Sequence, residues 1–154
     1  MALYFLDTSA LVKRYIVETG SAWTRRLCLS ESIVVSALAL AEVSSTFARR
    51  SREGALSVND RNALLHTFHT HVVQYTLVEV NRAVLSAAGA LLLSAPASIP
   101  MRSLDAIQLA SAQSFAATSS AAGLEPLTFV SSDTRLLAAA EWAGLAVDNP
   151  ENHP

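Results

Sequence analysis

Four acidic residues stand out in this sequence because each one interrupts or directly follows a run of apolar residues. Asp7 follows ALYFL, Glu42 lies in LALAEVS, Asp105 in RSLDAIQLA and Asp133 in FVSSDTRLL. Carboxylate oxygens are hard ligands, and several of them in one place suit Mg²⁺ or Mn²⁺. Because a metal site of this kind can cut a phosphodiester, the four acids are candidate catalytic and metal-binding residues.

Each acid also has an ordinary structural explanation when it is taken alone. Asp7 and Asp133 come after predicted strands and before predicted helices, where aspartate is a favoured N-cap. Asp105 would lie in the first turn of a helix, where the helix dipole favours a carboxylate. Glu42 is harder to explain in this way, because it is the only charged residue in the apolar stretch from Ile33 to Val43.

Strands that alternate with helices are predicted along the whole chain. Short apolar runs predict strands at residues 2–6, 33–36, 72–78, 127–131 and 145–147. Helices are predicted at residues 9–17, 21–30, 37–50, 57–71, 79–94, 103–119 and 134–142. Ser103 is a candidate cap of the sixth helix. This pattern indicates an α/β protein, a three-layer α/β/α sandwich with a central parallel sheet of about five strands.

The same topology predicts that the four acids meet. In a doubly wound sheet, ligands bind beyond the carboxyl ends of the strands, at the switch point of the strand order. In an order such as 3-2-1-4-5, the strands that end at Asp7 and Asp133 are neighbours, and Glu42 and Asp105 lie in helices next to them. Close carboxylates repel each other by an amount on the order of 1–4 kcal/mol per pair, which predicts a divalent counter-ion.

Length and composition narrow the class of protein. With 154 residues, of which 51% are apolar and 16% charged, residues 1–154 are expected to form one folded domain. A net charge of −2 does not suit binding of nucleic acid by bulk charge, so a metal and local arginines would have to attract an anionic substrate.

Cys28 is the only cysteine, which excludes an internal disulfide. We find no signal peptide or membrane-spanning run and expect a cytoplasmic protein with no membrane contact.

Taken together, the four motifs resemble those of PIN-domain ribonucleases, and among these the VapC toxins of bacterial type II toxin–antitoxin modules. LDTSALVKRY resembles the first motif of the family, AEV carries its glutamate, and RSLDAIQLASA and FVSSDTRLL resemble the third and fourth motifs. The chain departs from the family at Gln108, where a histidine is often present. The resemblance implies a single PIN-like nuclease domain with a strand order near 3-2-1-4-5. It identifies the acidic quartet as Asp7, Glu42, Asp105 and Asp133.

The resemblance also implies an activity and partners. The expected activity is that of a Mg²⁺- or Mn²⁺-dependent endoribonuclease, in which a metal-activated water attacks in line and leaves a 5′-phosphate and a 3′-hydroxyl. Asp7 and Asp105 are expected to contact the metal directly, and Glu42 and Asp133 directly or through water. The implied partners are an RNA substrate, a cognate VapB-like antitoxin, and a second copy of the chain in a homodimer within a larger toxin–antitoxin complex.

Hydroxyl and basic residues near the acids are secondary candidates. Thr8, Ser9 and Ser131 can support the carboxylates or contact metal-bound water, and helix capping or turn hydrogen bonding explains them equally well. The basic residues that flank the motifs can hold substrate phosphates, although a solvated surface or an internal ion pair is the alternative. These basic residues are Lys13, Arg14, Arg102 and Arg135.

Two other classes of protein fit the sequence less well than the nuclease. A phosphoacceptor receiver domain needs an aspartate after the third strand and a lysine after the fifth, but Glu79 follows Val78 and the only lysine is Lys13. A haloacid-dehalogenase-type phosphatase needs an aspartate two positions after Asp7, where Ser9 stands. Two alternatives keep the PIN fold: an RNA-processing nuclease without an antitoxin, and a catalytically silent binding module. The intact set of acids argues against the silent module, and the small size of the chain favours the toxin.

Overall fold

The centre of the molecule is a parallel sheet, seen in a computed structural model that describes residues 1–153; Pro154 lies outside the described residues. All neighbouring strands are parallel, and the five-stranded sheet has the order β3-β2-β1-β4-β5. This order confirms the predicted fold class. The strands are β1 (Leu3–Leu6), β2 (Ser32–Ser36), β3 (Thr76–Val78), β4 (Leu127–Val130) and β5 (Ala146–Asp148).

Helices connect the strands and cover both faces of the sheet. They are α1 (Thr8–Val12), α2 (Ser21–Ser30), α3 (Ala39–Arg52), α4 (Val58–Val72), α5 (Arg82–Ser94), α6 (Ser103–Ala121) and α7 (Thr134–Trp142). A 3₁₀ turn at Pro150–Asn152 follows β5. The bounds of α2 and α7 are those predicted from the sequence. Among the described residues, no helix is long and apolar enough to cross a membrane.

Four predicted local features were wrong: the extent of the third strand, the end of the first helix, the start of the fifth helix and the cap of the sixth. The fifth helix begins at Arg82 and not at residue 79, because Asn81 is its N-cap. The third strand occupies only Thr76–Val78, because Val72 ends α4 and the chain turns before the strand. That turn has hydrogen bonds from the N–H of Gln74 to the carbonyl of His71 (2.9 Å) and from the N–H of Tyr75 to the carbonyl of Val72 (3.2 Å). The apolar content of this run therefore did not distinguish the end of α4 and the exposed turn at Val73 and Gln74 from the strand that follows.

The first helix was predicted to reach residue 17 but ends at Val12, where bonds of the i→i−3 type tighten the chain. The N–H of Lys13 donates to the carbonyl of Ala10 (3.2 Å) and the N–H of Arg14 to that of Leu11 (3.1 Å). Ser103 is not the cap of α6, because it is the first helical residue and Arg102 holds the N-cap position.

Successive side chains of each strand point to opposite faces of the sheet, so the core has two halves, one on each face. On β1, Phe5 faces the side covered by α6 and α7, whereas Leu6 faces the side covered by α1 to α4. Phe5 and Phe129 stack across β1 and β4 with ring centroids 5.4 Å apart, and both are fully buried. Burial of such a side chain contributes about 1.5–3 kcal/mol, so the two central strands anchor the sheet. The carboxyl ends of these strands carry the candidate site.

Candidate active site

A cleft of about 790 Å³ opens at the carboxyl edge of the sheet. All four acids named above line this cleft. The edge lies where β1 and β4 are neighbours and the strand order reverses, which is the switch point predicted to bind ligands. Of the secondary candidates, the residues that also line the cleft are Thr8, Ser9, Lys13 and Arg102.

Four helix N-termini bring the acids to this edge. Asp7 is the N-cap of α1 and Asp133 the N-cap of α7, while Glu42 and Asp105 lie in the first turns of α3 and α6. In a parallel sheet these helices begin beyond the carboxyl ends of the strands. Each helix dipole stabilises a carboxylate at its N-terminus by about 0.3–1 kcal/mol, which partly offsets the repulsion between the acids. Each acid can therefore stabilise the start of its helix and line the cleft at the same time.

Asp7 is the most buried of the four acids. Its Oδ1 accepts hydrogen bonds from Ser9 Oγ (2.8 Å) and the N–H of Ala10 (2.9 Å), and its Oδ2 accepts from Ser131 Oγ (2.9 Å). Burial raises the pKa of Asp7 from 3.8 to about 6, although these hydrogen bonds favour the ionised form. A carboxylate that is buried without a positive partner is stabilised by a nearby cation.

Two serine hydroxyls that contact Asp7 also bind the backbone after β4, and so connect the chain at the ends of β1 and β4. Ser131 Oγ accepts the N–H of Asp133 (3.0 Å), and Ser9 Oγ accepts the N–H of Ser132 (2.9 Å). The hydroxyl oxygens of Ser9 and Ser131 lie 3.2 Å apart. Both serines therefore occupy the positions expected of residues that support Asp7, and their functional role stays a prediction.

Glu42 is held by a pair of side chains from other segments. Its Oε2 accepts from Thr8 Oγ1 (2.6 Å) and from Gln108 Nε2 (2.6 Å), and Gln108 Nε2 also donates to Thr8 Oγ1 (3.1 Å). Gln108 is buried, and its Oε1 has no hydrogen-bond partner within residues 1–153. The contact to Glu42 was not predicted, although the i, i+3 spacing from Asp105 places Gln108 on the same side of α6.

Backbone amides at the helix starts position the other two acids. Asp105 Oδ2 accepts the N–H of Arg102 at 3.0 Å. Asp133 Oδ1 accepts the N–H groups of Arg135 (2.9 Å) and Leu136 (3.4 Å). In both carboxylates these amide bonds go to one oxygen, and the other oxygen accepts no hydrogen bond within the described part of the chain.

The basic residues predicted to bind phosphate have different surroundings. The ammonium group of Lys13 is buried between Glu18 (3.3 Å) and Glu151 (3.1 Å), so its charge is compensated within the protein. The guanidinium of Arg14 donates to the hydroxyl of Tyr75 and lies 5.6 Å from the centroid of that ring. The structure therefore does not bring Arg14 to the acids.

Arg102 and Arg135 are exposed and lie beside the acids of their own motifs. Arg102 Nε is 3.9 Å from Asp105 Oδ2, and a terminal nitrogen of Arg135 is 3.7 Å from Asp133 Oδ2. These are loose contacts of exposed groups, which contribute little to stability.

Two basic residues that line the cleft were not predicted from the sequence, namely Arg49 and Arg50. The i, i+7 spacing from Glu42 on one helix was the signal that could have identified Arg49.

The donor groups of the cleft fit a hard divalent cation, but they are not a closed cage. Within residues 1–153, no three Asp, Glu, His or Cys side chains are close enough together to hold a metal ion by themselves. Mg²⁺ usually keeps several waters and binds one or two carboxylates, so a spread set of acids around the buried Asp7 suits it. The metal assignment stays a prediction that rests on this donor chemistry.

Fold and site together define a doubly wound α/β domain with an acidic cleft at its switch point. The chain belongs to the PIN-domain family, whose pattern it matches over residues 4–141, a range that includes all four acids. No curated protein sequence matches the chain significantly.

Solved structures share the fold at low sequence identity. FitAcB from Neisseria gonorrhoeae is 19% identical with a TM-score of 0.71, covering 99% of this chain and 100% of that one. VapC20 from Mycobacterium tuberculosis, described as a sarcin-ricin loop cleaving toxin, is 16% identical with a TM-score of 0.63, covering 93% and 96%. The DNA-bound VapBC structure from Salmonella typhimurium is 14% identical with a TM-score of 0.63, covering 97% and 99%.

Proposed function

We propose that this chain is a metal-dependent endoribonuclease and the toxin of a type II toxin–antitoxin module. The observation that carries the proposal is the convergence of four carboxylates, from four separate segments, on one cleft of a PIN domain. Asp7 and Asp105 are the proposed direct ligands of Mg²⁺ or Mn²⁺. Glu42 and Asp133 would act directly or through bound water.

The proposed reaction is hydrolysis of an RNA phosphodiester. The oxygen of a water molecule bonds to phosphorus and the bond from phosphorus to the 3′ oxygen breaks, which leaves a 5′-phosphate and a 3′-hydroxyl. A bound Mg²⁺ or Mn²⁺ supplies a more acidic water and charge compensation at the phosphate.

The residues of the chain keep the carboxylates in place for this reaction. Ser9 and Ser131 orient Asp7, and Thr8 and Gln108 orient Glu42, through the hydrogen bonds described above. With a pKa of about 6, Asp7 is mostly ionised at neutral pH and is therefore available as a ligand.

Several proteins of similar fold support the proposed biological role. A structure from Klebsiella pneumoniae is described as a toxin–antitoxin complex, and one from M. tuberculosis as a member of the VapBC family of toxin–antitoxin systems. By analogy, the partner of this chain would be a VapB-like antitoxin that covers the cleft, and the chain would form a homodimer within the complex.

The first experiment is cleavage of a mixed cellular RNA pool by antitoxin-free protein with Mg²⁺, with Mn²⁺ and with EDTA. Asp7→Asn should lose activity, whereas Asp60→Asn, which changes an exposed acid on α4 outside the cleft, should keep it. Sequencing that captures only 5′-phosphate ends would identify both the products and the target.

The outcomes separate the alternatives. Cleavage that survives EDTA, or an Asp7→Asn protein as active as wild type, would contradict the proposed site. If folded, metal-binding protein cuts nothing, a growth test on expression in cells separates a very narrow RNA target from a catalytically silent module. Nuclease activity without any effect of co-expressed neighbouring reading frames would favour RNA processing over a toxin.

A further inference from the structure

Four polar side chains on one face of α3 line the cleft. Glu42, Ser45, Thr46 and Arg49 all line the cleft, and their spacing of three, four and seven residues places them on one face of the helix. At about 1.5 Å rise per residue, Arg49 lies about 10 Å from Glu42 along the helix axis. Arg49 is therefore in the same cleft as the acids but at some distance from them.

Arg49 is the cation lining the cleft that has no acidic partner among residues 1–153. Lys13 and Arg50 each form an ion pair with a glutamate, and Arg102 makes a loose contact with Asp105. Arg49 is exposed, and within residues 1–153 its guanidinium forms no ion pair and no hydrogen bond. It is free to bind an anion that enters the cleft.

A polyanionic substrate needs such a group. Six carboxylates line the cleft, because Glu18 and Glu151 add to the four acids, and the chain has a net charge of −2. The field of the whole protein therefore does not attract RNA. Arginine binds phosphate oxygens well because its planar fork can donate two parallel hydrogen bonds. Positioned about 10 Å from Glu42, the guanidinium would meet a phosphate other than the one that lies among the acids.

We propose that Arg49 binds a backbone phosphate next to the one that is cleaved, so that single-stranded RNA runs along α3 from Glu42 towards Arg49. Ser45 and Thr46 lie between these two residues and present hydroxyls to the sugar–phosphate backbone. This inference rests on the proposed ribonuclease function. In it, Arg49 is a positioning residue that touches no reacting atom.

The chain supplies a matched control for the alternative explanation. A basic residue in the last turn of a helix interacts favourably with the helix dipole whether or not it binds a ligand. Arg52 is also in the last turn of α3 and also exposed, but it does not line the cleft and forms no ion pair in the described part of the chain. Loss of Arg52 therefore reproduces the change in charge and dipole without the change in the cleft.

Binding is the first test and does not depend on turnover. Arg49→Gln and Arg52→Gln are made in Asp7→Asn protein, and affinity for a short randomised single-stranded RNA is measured by fluorescence anisotropy over a range of KCl concentrations. Arg49→Gln should weaken binding about tenfold and reduce the salt dependence by about 0.7 in log–log slope, as for the loss of one phosphate contact. Arg52→Gln should bind within about twofold of its parent. Arg49→Lys, which keeps the charge but not the fork, should recover the salt dependence and only part of the affinity.

Turnover is the second test, in protein that retains Asp7. Arg49→Gln should raise KM about tenfold and leave kcat within about threefold, because the interaction is made away from the reacting phosphate. Equal effects of Arg49→Gln and Arg52→Gln on binding and on KM would overturn this inference while leaving the nuclease intact. RNA that is neither cut nor bound by any of these proteins would overturn both the inference and the proposed function.

Discussion

Gln108 Nε2 donates a 2.6 Å hydrogen bond to Oε2 of Glu42 and thereby joins α6 to α3, two helices whose first turns line the cleft. Gln108 is on α6, one turn after Asp105, and Glu42 is in the first turn of α3. Because the amide is buried, water does not readily replace this bond. The position of Glu42 relative to Asp105 therefore depends on Gln108.

Gln108→Glu should damage both activity and stability. The new carboxylate would lie within hydrogen-bond distance of Glu42 in a buried place, so the two like charges would repel each other. We expect kcat to fall at least about tenfold, and the free energy of unfolding at pH 7 to fall by about 2 kcal/mol. RNA cleavage and urea unfolding measure the two effects.

Gln113→Glu is the control for that change. Gln113 is also on α6 and also donates through Nε2, to the carbonyl of Ala143 (3.1 Å), but it does not line the cleft. Its replacement should cost some stability and no activity. A Gln108→Glu protein that cuts RNA as well as Gln113→Glu would show that the bond to Glu42 does not matter for the reaction.

Asp7→Asn should make the metal-free protein more stable at neutral pH. Burial raises the pKa of Asp7 from 3.8 to about 6, so between these pH values the folded protein binds this proton more tightly than the unfolded chain. The contribution of Asp7 to stability therefore falls as pH rises from about 4 to about 6, by about 3 kcal/mol in total. Asparagine stays neutral and avoids this loss.

Urea unfolding in EDTA at several pH values tests this linkage. The variant should exceed wild type in stability at pH 7.5, and the difference should shrink towards pH 4. A difference that is the same at every pH would mean that the pKa of Asp7 is not shifted by folding. A loss of stability at all pH values would mean that the hydrogen bonds to Asp7 outweigh its burial.

Metal binding should depend on pH for the same reason. A proton on Asp7 competes with the cation, so Mn²⁺ should raise the Tm of wild-type protein more at pH 7.5 than at pH 5. Asp7→Asn should lose most of this shift, whereas Asp60→Asn should keep it. Thermal unfolding in Mn²⁺ and in KCl of equal ionic strength measures the effect, and equal shifts in the two salts would exclude a specific site.

Ser131→Ala should destabilise the protein more than Ser132→Ala. The hydroxyl of Ser131 donates to Asp7 and accepts the N–H of Asp133, so its loss removes partners from two groups. We expect a cost of about 1–3 kcal/mol. The buried hydroxyl of Ser132 has no partner within residues 1–153, so Ser132→Ala should be neutral or slightly stabilising. Unfolding curves that rank the two variants in the opposite order would contradict the hydrogen-bond assignment.

Gly20→Ala should be more costly than Gly54→Ala, although both glycines have positive φ. At Gly20 (φ +84°) an added Cβ would lie 2.3 Å from the carbonyl oxygen of Pro150, whereas at Gly54 (φ +80°) it would meet nothing within 4 Å among the described residues. The left-handed conformation costs alanine about 1–2 kcal/mol at both positions.

The difference in stability between Gly20→Ala and Gly54→Ala measures how much the packing of the C-terminal 3₁₀ turn against the start of α2 contributes. Thermal unfolding of both proteins measures it. We expect Gly20→Ala to lose clearly more stability, because backbone atoms must move to admit the methyl group. Equal losses would show that Pro150 is not held against Gly20 in solution. The neighbouring Glu151 contacts Lys13, so displacement of this turn would also remove a charge from the wall of the cleft.

The sequence by itself was enough to predict the architecture and to single out the four acids that line the cleft. Uninterrupted apolar strands that alternate with helices can be buried only in a parallel sheet with two covered faces, and this pattern is local enough to read directly. The bounds of α2 and α7 and the capping positions of Asp7 and Asp133 follow from equally local signals. The strand order then implied that the acids share one edge, because helices in such a sheet begin beyond the carboxyl ends of the strands.

Only the tertiary structure decided which polar groups are paired. Lys13 flanks the first motif, but its charge is compensated by Glu151, which is 138 residues away in the sequence. Arg14 is next to Lys13 and contacts Tyr75 outside the cleft, whereas Arg49, far from any motif aspartate, lines it. Partners of this kind depend on where distant segments pack, and no local pattern contains that information. The burial that raises the pKa of Asp7 arises in the same way, since it exists only when β1 and β4 lie side by side.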